Sequence, residues 1–253
     1  MNILIVGSGA REHAIARALQ KSPKQKTLYC LATNTNPGLQ ELCSDLQIID
    51  LNDNAIISQF AREKEVSLAI IGPENPLANG LTDILMGSNI KVVGPTKEHS
   101  KIESSKSFAR NLLVEYKIPA CPKYKIFNSM KGVQAFLDQL GDDFVIKYDG
   151  LAGGKGVKVS GDHLGSHKEA LQYCEQLIRK GGPFLVEEKL VGEEFSLMSF
   201  SDGNNLKHMP AIQDHKRALE GDMGPNTGGM GTYSDADHSL PFLTKKEIKE
   251  AQK

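Results

Sequence analysis

Short apolar runs alternate with amphipathic stretches through the first hundred residues. Residues 2–6 (NILIV), apolar from Ile3 onward, have the pattern of a strand buried on both faces of a parallel sheet. Gly7-Ser8-Gly9 turns the chain, and 10–21 has helix-forming composition with Ala14, Ile15, Ala18 and Leu19 at helical spacing. Strand-like runs return at 27–32, 48–49, 67–71 and 91–93. A polar turn at 33–38 and helical patterns at 54–64 and 81–86 separate them. Strands alternating with helices predict an open, parallel α/β sheet whose ligands sit beyond the strands' carboxyl ends. Those ends carry 7–9, 33–38, 72–76 and 94–96.

The pattern changes after Gly94-Pro95-Thr96. Residues 101–116 read as one helix with Phe108, Leu112 and Leu113 on its buried face, and Pro119 and Pro122 break the chain. A small sheet follows: a strand at 124–127, a helix at 130–140, a glycine-rich hairpin at 144–160, a helix at 167–179 and a strand at 183–188. Further strands are expected at 195–201 and 206–213. The glycines and proline of 221–231 predict no regular structure there, and 243–253 begins an amphipathic helix. The domain reading is 1–100, 101–122 as a linking helix, 123–190, and 191–253.

Composition narrows the class. A chain of 253 residues, 40% apolar and 24% charged, suits two domains with real cores. Thirty basic against thirty-one acidic residues leave a net charge of -1, so any basic site must be local and a nucleic-acid partner is not expected. Cys30, Cys43, Cys121 and Cys174 show no CxxC or Cys/His spacing and read as reduced thiols. No apolar run approaches membrane-spanning length, and the start lacks the basic flank of a signal peptide. A cytoplasmic protein with no membrane partner is the expectation.

The stretch 144–160, FVIKYDGLAGGKGVKVS, carries the sharpest chemistry. Gly153, Gly154 and Gly156 let backbone N–H groups approach an anion, and Lys147 and Lys155 bracket the turn, so the expected ligand is a phosphate chain. It is no Walker A loop, because three residues separate Gly150 from Gly154 and Gly156 stands where Ser or Thr belongs. An ordinary glycine-rich surface hairpin is the competing reading. At the N-terminus, Glu12 occupies the third glycine position of a dinucleotide fingerprint, and the second strand ends in Ala32-Thr33-Asn34 without the ribose-binding acid. The 7–10 loop therefore reads as an anion site for a substrate phosphate, or as a tight turn with no ligand.

Two more stretches matter. Glu187-Glu188-Lys189-Leu190 ends a strand that can offer its backbone to an adenine edge, and Glu194, four residues on, can accept from ribose hydroxyls. Glu193 reads as a solvated acid. Residues 213–217 (QDHKR) with 221–231 (GDMGPNTGGMG) look like a substrate-anion loop; a surface loop is the alternative. His13 and His215 are acid–base candidates without metal spacing.

Together these stretches resemble the phosphoribosylamine–glycine ligases (glycinamide ribonucleotide synthetases), ATP-grasp enzymes of de novo purine synthesis. The resemblance runs through GSGAREHA at 7–14, IGPENPLANGLTD at 71–83, VVGPTKE at 92–98 and ESSKSFA at 103–109. It continues in IKYDGLAGGKGV at 146–157, VEEKLVGEEFS at 186–196, QDHKR, and GDMGPNTGGMGTYS at 221–234. It implies a Rossmann-like N-terminal domain, an ATP-grasp lid and the first part of an ATP-grasp core. It also implies an ATP-dependent ligation in which glycine becomes glycyl phosphate and the amine of 5-phosphoribosylamine displaces phosphate. By resemblance, Lys106, Lys147, Lys155 and Gly153–Gly156 meet the ATP phosphates. Glu187, Glu188 and Leu190 hold adenine, and Glu194 the ribose. Gly7, Ser8, Gly9 and Arg11 take the phosphoribosyl group. Asp214, Lys216 and Asn226 face the acyl phosphate, with Thr227, Gly228 and Gly229 beside the substrate. Family members are longer, and the Glu and Asn that bind Mg²⁺ (or Mn²⁺) lie in the part that would follow Lys253, so no metal ligand is assigned in this chain. Small-molecule partners and a monomer are expected. A nucleotide-binding fragment without turnover, and another ATP-grasp carboxylate–amine ligase, remain alternatives.

Overall fold

The computed structural model describes residues 1–152, 156–221 and 223–253. The chain divides into two compact units, Met1–Lys189 and Leu190–Lys253.

The first unit opens with β1 (Asn2–Val6), α1 (Ala10–Gln20), β2 (Thr27–Ala32), α2 (Pro37–Leu42), β3 (Asp45–Ile48), α3 (Asn54–Glu63), β4 (Leu68–Ile71), α4 (Glu74–Ala78), α5 (Leu81–Gly87) and β5 (Lys91–Val93). Its five strands are parallel in the order β3-β2-β1-β4-β5, so the topology reverses between β1 and β4. Alternate residues of β1 explain its apolar run. Leu4 and Val6 join one buried cluster with Ile57, Phe60, Leu81 and Leu85, while Ile3 and Ile5 join another with Ala16, Leu28, Cys30 and Leu39. Both faces are covered, so a polar side chain at positions 3–6 would be buried and would need a hydrogen-bond partner.

Two local expectations change here. The polar stretch 33–38 does not stay a turn, because Pro37 is the first residue of α2 and Asn36 caps it by accepting from the Leu39 N–H at 3.2 Å. Proline's fixed φ suits a first helical turn, where its missing N–H costs nothing. The third strand starts at Asp45 rather than 48, since Asp45 and Gln47 lie on an edge strand with polar positions toward solvent.

The unit continues with α6 (Lys101–Ser104), α7 (Lys106–Glu115), β6 (Tyr124–Phe127), α8 (Val133–Leu140), β7 (Phe144–Tyr148), β8 (Val157–Val159), α9 (His167–Arg179) and β9 (Phe184–Glu188). The single helix expected at 101–116 is broken at Ser105, which leaves helical geometry to cap α7 by accepting from the Phe108 N–H at 3.1 Å. The four strands form an antiparallel sheet ordered β6-β9-β7-β8. Phe144, Ile146, Phe184 and Val186 face α8 and α9, burying with Val133, Leu137, Ala170, Cys174 and Leu177. The hairpin expected at 144–160 is present as β7 and β8, paired Val145 to Val159 and Lys147 to Val157.

The second unit holds β10 (Ser199–Ser201), β11 (Leu206–His208), β12 (Gln213–Asp214), β13 (Arg217–Leu219), β14 (Met223–Asn226), β15 (Thr232–Tyr233) and α10 (Lys245–Ala251). They form three two-stranded antiparallel ribbons, β10-β11, β12-β15 and β13-β14. The strand expected at 206–213 is two, separated around Pro210, which lacks the N–H a ladder needs. The glycine-rich 221–231 stretch is not wholly irregular: Met223–Asn226 pairs with Arg217–Leu219 across a register shift. On a two-stranded ribbon each strand has a free edge, where Pro225 needs no ladder partner.

Candidate functional site

In the first unit, the sheet face opposite the aromatic core carries charge. Antiparallel register sets Val145 opposite Glu187 and Lys147 opposite Leu185, which makes Lys147 a diagonal neighbour of Glu187 on one face. Helix α7 supplies Lys106 and Arg110, four residues apart and so on the same side of the helix. Arg110 grips the Glu187 carboxylate with two donors, Nε to Oε2 at 2.9 Å and Nη2 to Oε1 at 3.2 Å. Lys147 pairs with the same carboxylate. The Glu187 side chain is only 4% exposed, against 23% for Arg110 and 22% for Lys147. Burial pushes the Glu187 carboxyl up, yet the Arg110 and Lys147 cations outweigh it and hold the group below its ordinary range.

Lys106 lies one turn nearer the hairpin and donates to the Gly150 carbonyl at 2.9 Å. Burial pulls its ammonium below the usual lysine range, opposed by Asp149 and Glu103 and reinforced by Lys147. Asp149 serves the start of α7, accepting from the Ser107 N–H at 3.2 Å and the Ser105 hydroxyl at 3.4 Å. Three cations thus face two carboxylates where the glycine hairpin begins, which suits a polyanion. Gly156 closes the hairpin by accepting from the Tyr148 N–H at 2.8 Å. Gly153, Gly154 and Lys155 lie outside the described residues.

The nucleobase expectation meets groups already occupied. The Glu188 N–H donates to the Lys123 carbonyl, the Lys189 N–H to the Asp143 carbonyl, and the Glu188 carboxylate accepts from the Lys123 N–H at 2.9 Å.

At the carboxyl ends of β1 and β4, Glu12 fills the place of the fingerprint glycine. Its carboxylate accepts from the Gly9 N–H at 2.6 Å, and the residue is buried at 5% exposure. A methyl group on Gly72 would lie 1.9 Å from Glu12 Oε1, so backbone approach there requires glycine. Ser8 is stitched to the neighbouring loop through the Thr33 hydroxyl at 3.0 Å and Asn34 Oδ1 at 2.5 Å, and Asn36 donates to the Ser8 carbonyl at 3.0 Å. Arg11, 68% exposed at its side chain, keeps its Nε 3.7 Å from Glu12 Oε1. His13 packs its ring against the Gly38 backbone. The loop expected to receive a phosphate thus has one of its N–H groups committed to a carboxylate.

The second unit brings its own predicted residues together. Lys216 pairs with Glu194, and its carbonyl accepts from the Thr227 N–H at 2.6 Å and the Thr227 hydroxyl at 2.8 Å. Thr227 Oγ1 in turn accepts from the Gly229 N–H at 3.1 Å. Gly229 adopts φ +105°, and a Cβ there would sit 3.1 Å from Asp214 Oδ1, so Asp214 and the 227–229 turn are neighbours. Asn226 pairs with Arg217 across β13 and β14, Gly228 lies exposed beside Thr227, and His215 stacks on Tyr233 with ring centres 5.8 Å apart. Glu193 accepts from Gln213 Nε2 at 3.2 Å, and Leu190 is 68% exposed.

Arg110 is the residue that sequence reasoning did not single out. The available signal was its spacing from Lys106. Among the described residues, no group of three or more His, Cys, Asp and Glu is placed to hold a metal ion, and no helix is long and apolar enough to cross a membrane.

Comparison with known proteins agrees with this architecture. Residues 1–103 match the N domain of phosphoribosylglycinamide synthetase, and residues 104–253 match its ATP-grasp (A) domain. A phosphoribosylamine–glycine ligase of Methanosarcina acetivorans is 46% identical over the whole chain, which covers 57% of that relative. The crystal structure of the Thermotoga maritima phosphoribosylamine–glycine ligase superposes with TM-score 0.76 at 28% identity, over 99% of this chain and 59% of that one. An N5-carboxyaminoimidazole synthetase from Staphylococcus aureus, complexed with ADP, shares the fold at TM-score 0.66 and 15% identity, over 86% of this chain and 55% of that one. The chain spans somewhat under three fifths of the curated relatives it matches. It belongs to the phosphoribosylglycinamide synthetase family.

Proposed function

We propose, from that family membership and from the cations gathered on α7 and β7, that this chain binds ATP and carries part of the machinery of a glycine–phosphoribosylamine ligation. The carrying observation is the cluster of Lys106, Lys147 and Arg110 around buried Glu187, at the root of the glycine hairpin. Phosphoryl transfer asks a protein mainly to position the phosphates and to neutralise charge that spreads over their oxygens. Lys106 and Lys147 are assigned that role. The arrangement requires no nucleophile on the protein. The glycine carboxylate attacks the terminal phosphorus of ATP and ADP leaves. The amine of phosphoribosylamine then attacks the acyl carbon, and inorganic phosphate leaves.

Glu194 is assigned to ribose hydroxyls, and the main chain of Glu187, Glu188 and Leu190, not their side chains, to the adenine edge. Asp214, Lys216 and Asn226, with the turn Thr227, Gly228 and Gly229, are assigned to the acyl phosphate and the incoming amine. Gly7, Ser8, Gly9 and Arg11 are assigned to the phosphoribosyl group. Because the Glu12 carboxylate holds the Gly9 N–H, a phosphate there would draw on Arg11 and the remaining loop donors. A divalent cation (magnesium or manganese) would screen the phosphate charge, but the described residues do not make up its site and none is assigned to it.

The test is an ATP titration of the chain and of Lys147→Ala. Wild-type binding with at least about a tenfold loss in the variant supports the reading, since the lost charge faces phosphates. Equal affinity in a folded Lys147→Ala protein sinks it. ADP formation with glycine and fresh phosphoribosylamine then separates a chain that turns over from one that only binds.

A further inference from the structure

Lys147 poses an electrostatic problem. A lysine paired only with a buried carboxylate is neutralised by it, and a phosphate would have to pull the ammonium away and leave that carboxylate uncompensated, which is costly. The chain avoids this through Arg110, whose guanidinium places one donor on each oxygen of Glu187, at 2.9 and 3.2 Å. A planar fork matches a carboxylate in a way that an ammonium cannot. Arg110 is itself well placed, because it sits one turn after Lys106 on α7, whose start is tied to Asp149 at the hairpin.

We propose that Arg110 is a positioning residue for Lys147: it neutralises Glu187, so that the lysine stays the surplus cation on the sheet face and can turn to an incoming polyphosphate. Glu187 then has two tasks. It holds Lys147 in place while the site is empty, and it keeps Arg110 fixed when the lysine moves. Arg110 does not itself touch the ligand. The inference rests on the reading that Lys147 meets nucleotide phosphates.

The experiment compares ATP, inorganic tripolyphosphate and adenosine binding to the wild-type chain, Arg110→Gln, Arg110→Lys and the double variant Arg110→Gln/Glu187→Gln. Arg110→Gln is expected to weaken ATP and tripolyphosphate about tenfold and to leave adenosine unchanged, because Glu187 now claims Lys147. Arg110→Lys keeps the charge but not the fork and should fall between the two. The double variant removes the carboxylate as well and should recover affinity toward wild type. A merely structural arginine would lower adenosine and tripolyphosphate binding alike and would not be rescued.

Unchanged tripolyphosphate affinity in Arg110→Gln overturns the proposal, as does a folded double variant that stays weak. If Arg110→Gln does not fold, the double variant decides alone, with near-wild-type affinity supporting the proposal and loss overturning it. The outcomes are separable from failure of the parent reading. If Lys147→Ala binds ATP normally, the phosphate assignment itself is wrong. If Lys147→Ala is weak and Arg110→Gln is not, only the positioning role fails.

Discussion

Each unit of this protein contains a lysine–glutamate pair, and the two pairs stand in opposite surroundings. Lys147 and Glu187 lie on adjacent strands of a four-stranded sheet, with side chains 22% and 4% exposed. Lys216 and Glu194 lie beside short ribbons, 42% and 70% exposed. In the first pair the carboxylate is shut away from water, so it must be compensated, and the fold adds Arg110 to do it. In the second, water competes for both charges, and the lysine's main-chain carbonyl, gripped by Thr227, does more to fix the local geometry. Identical residue types thus form a buried, compensated cluster in one unit and an exposed pair in the other. The physical difference is desolvation.

The largest way to break this contrast is to remove the buried acid. Glu187→Ala leaves Arg110 and Lys147 facing each other without their carboxylate and should cost about 3–5 kcal/mol of stability, read from urea unfolding. A loss of under about 1 kcal/mol would place that pair with ordinary surface ion pairs.

A second test uses pH. The Glu187 carboxyl is held below its ordinary value in the folded chain, so its stabilisation is complete above the unfolded value, near 4.3, and is lost as pH falls through the lowered folded value. Wild type and Glu187→Gln should therefore differ most in unfolding midpoint at neutral pH and converge on acidification below about 4. A gap that stays constant across that window would mean the carboxylate's charge is not what stabilises the sheet.

The smallest expected effect is at the second pair. Glu194→Gln should change stability by no more than about 1 kcal/mol and fade further at high salt, by thermal unfolding at two ionic strengths. A larger, salt-insensitive loss would show that Glu194 and Lys216 are part of a packed site after all.

The same contrast explains how much could be read in advance. Strands buried on both faces announce themselves as apolar runs, so 2–6, 27–32 and 67–71 were legible to within a residue. The hairpin's strands were equally plain, because Phe144, Val145 and Ile146 are strong β-formers and Val157 restarts the alternation. The polar edge strand β3 and the ribbon strands were harder. Asp45–Ile48 is half polar, and Met223–Asn226 contains Gly224 and Pro225, which free edges tolerate. The break at Ser105 was hidden because the residues on either side of it both favour helix, and only the Phe108 N–H bonded to the Ser105 hydroxyl shows where α7 begins.

By itself the sequence determined the parallel sheet, the glycine hairpin and the family, since apolar periodicity and ordered motifs are properties of the chain read along its length. Tertiary structure alone decided which charges meet. Arg110 and Glu187 are 77 positions apart, and only the packing of α7 on the sheet face brings a guanidinium to that carboxylate. It also turned Glu12, a missing glycine in the motif, into a buried carboxylate that claims the Gly9 N–H. Local pattern reflects the free energy of burying a residue against whatever covers it. An electrostatic site depends on the identity of its partners, and those are chosen by the fold.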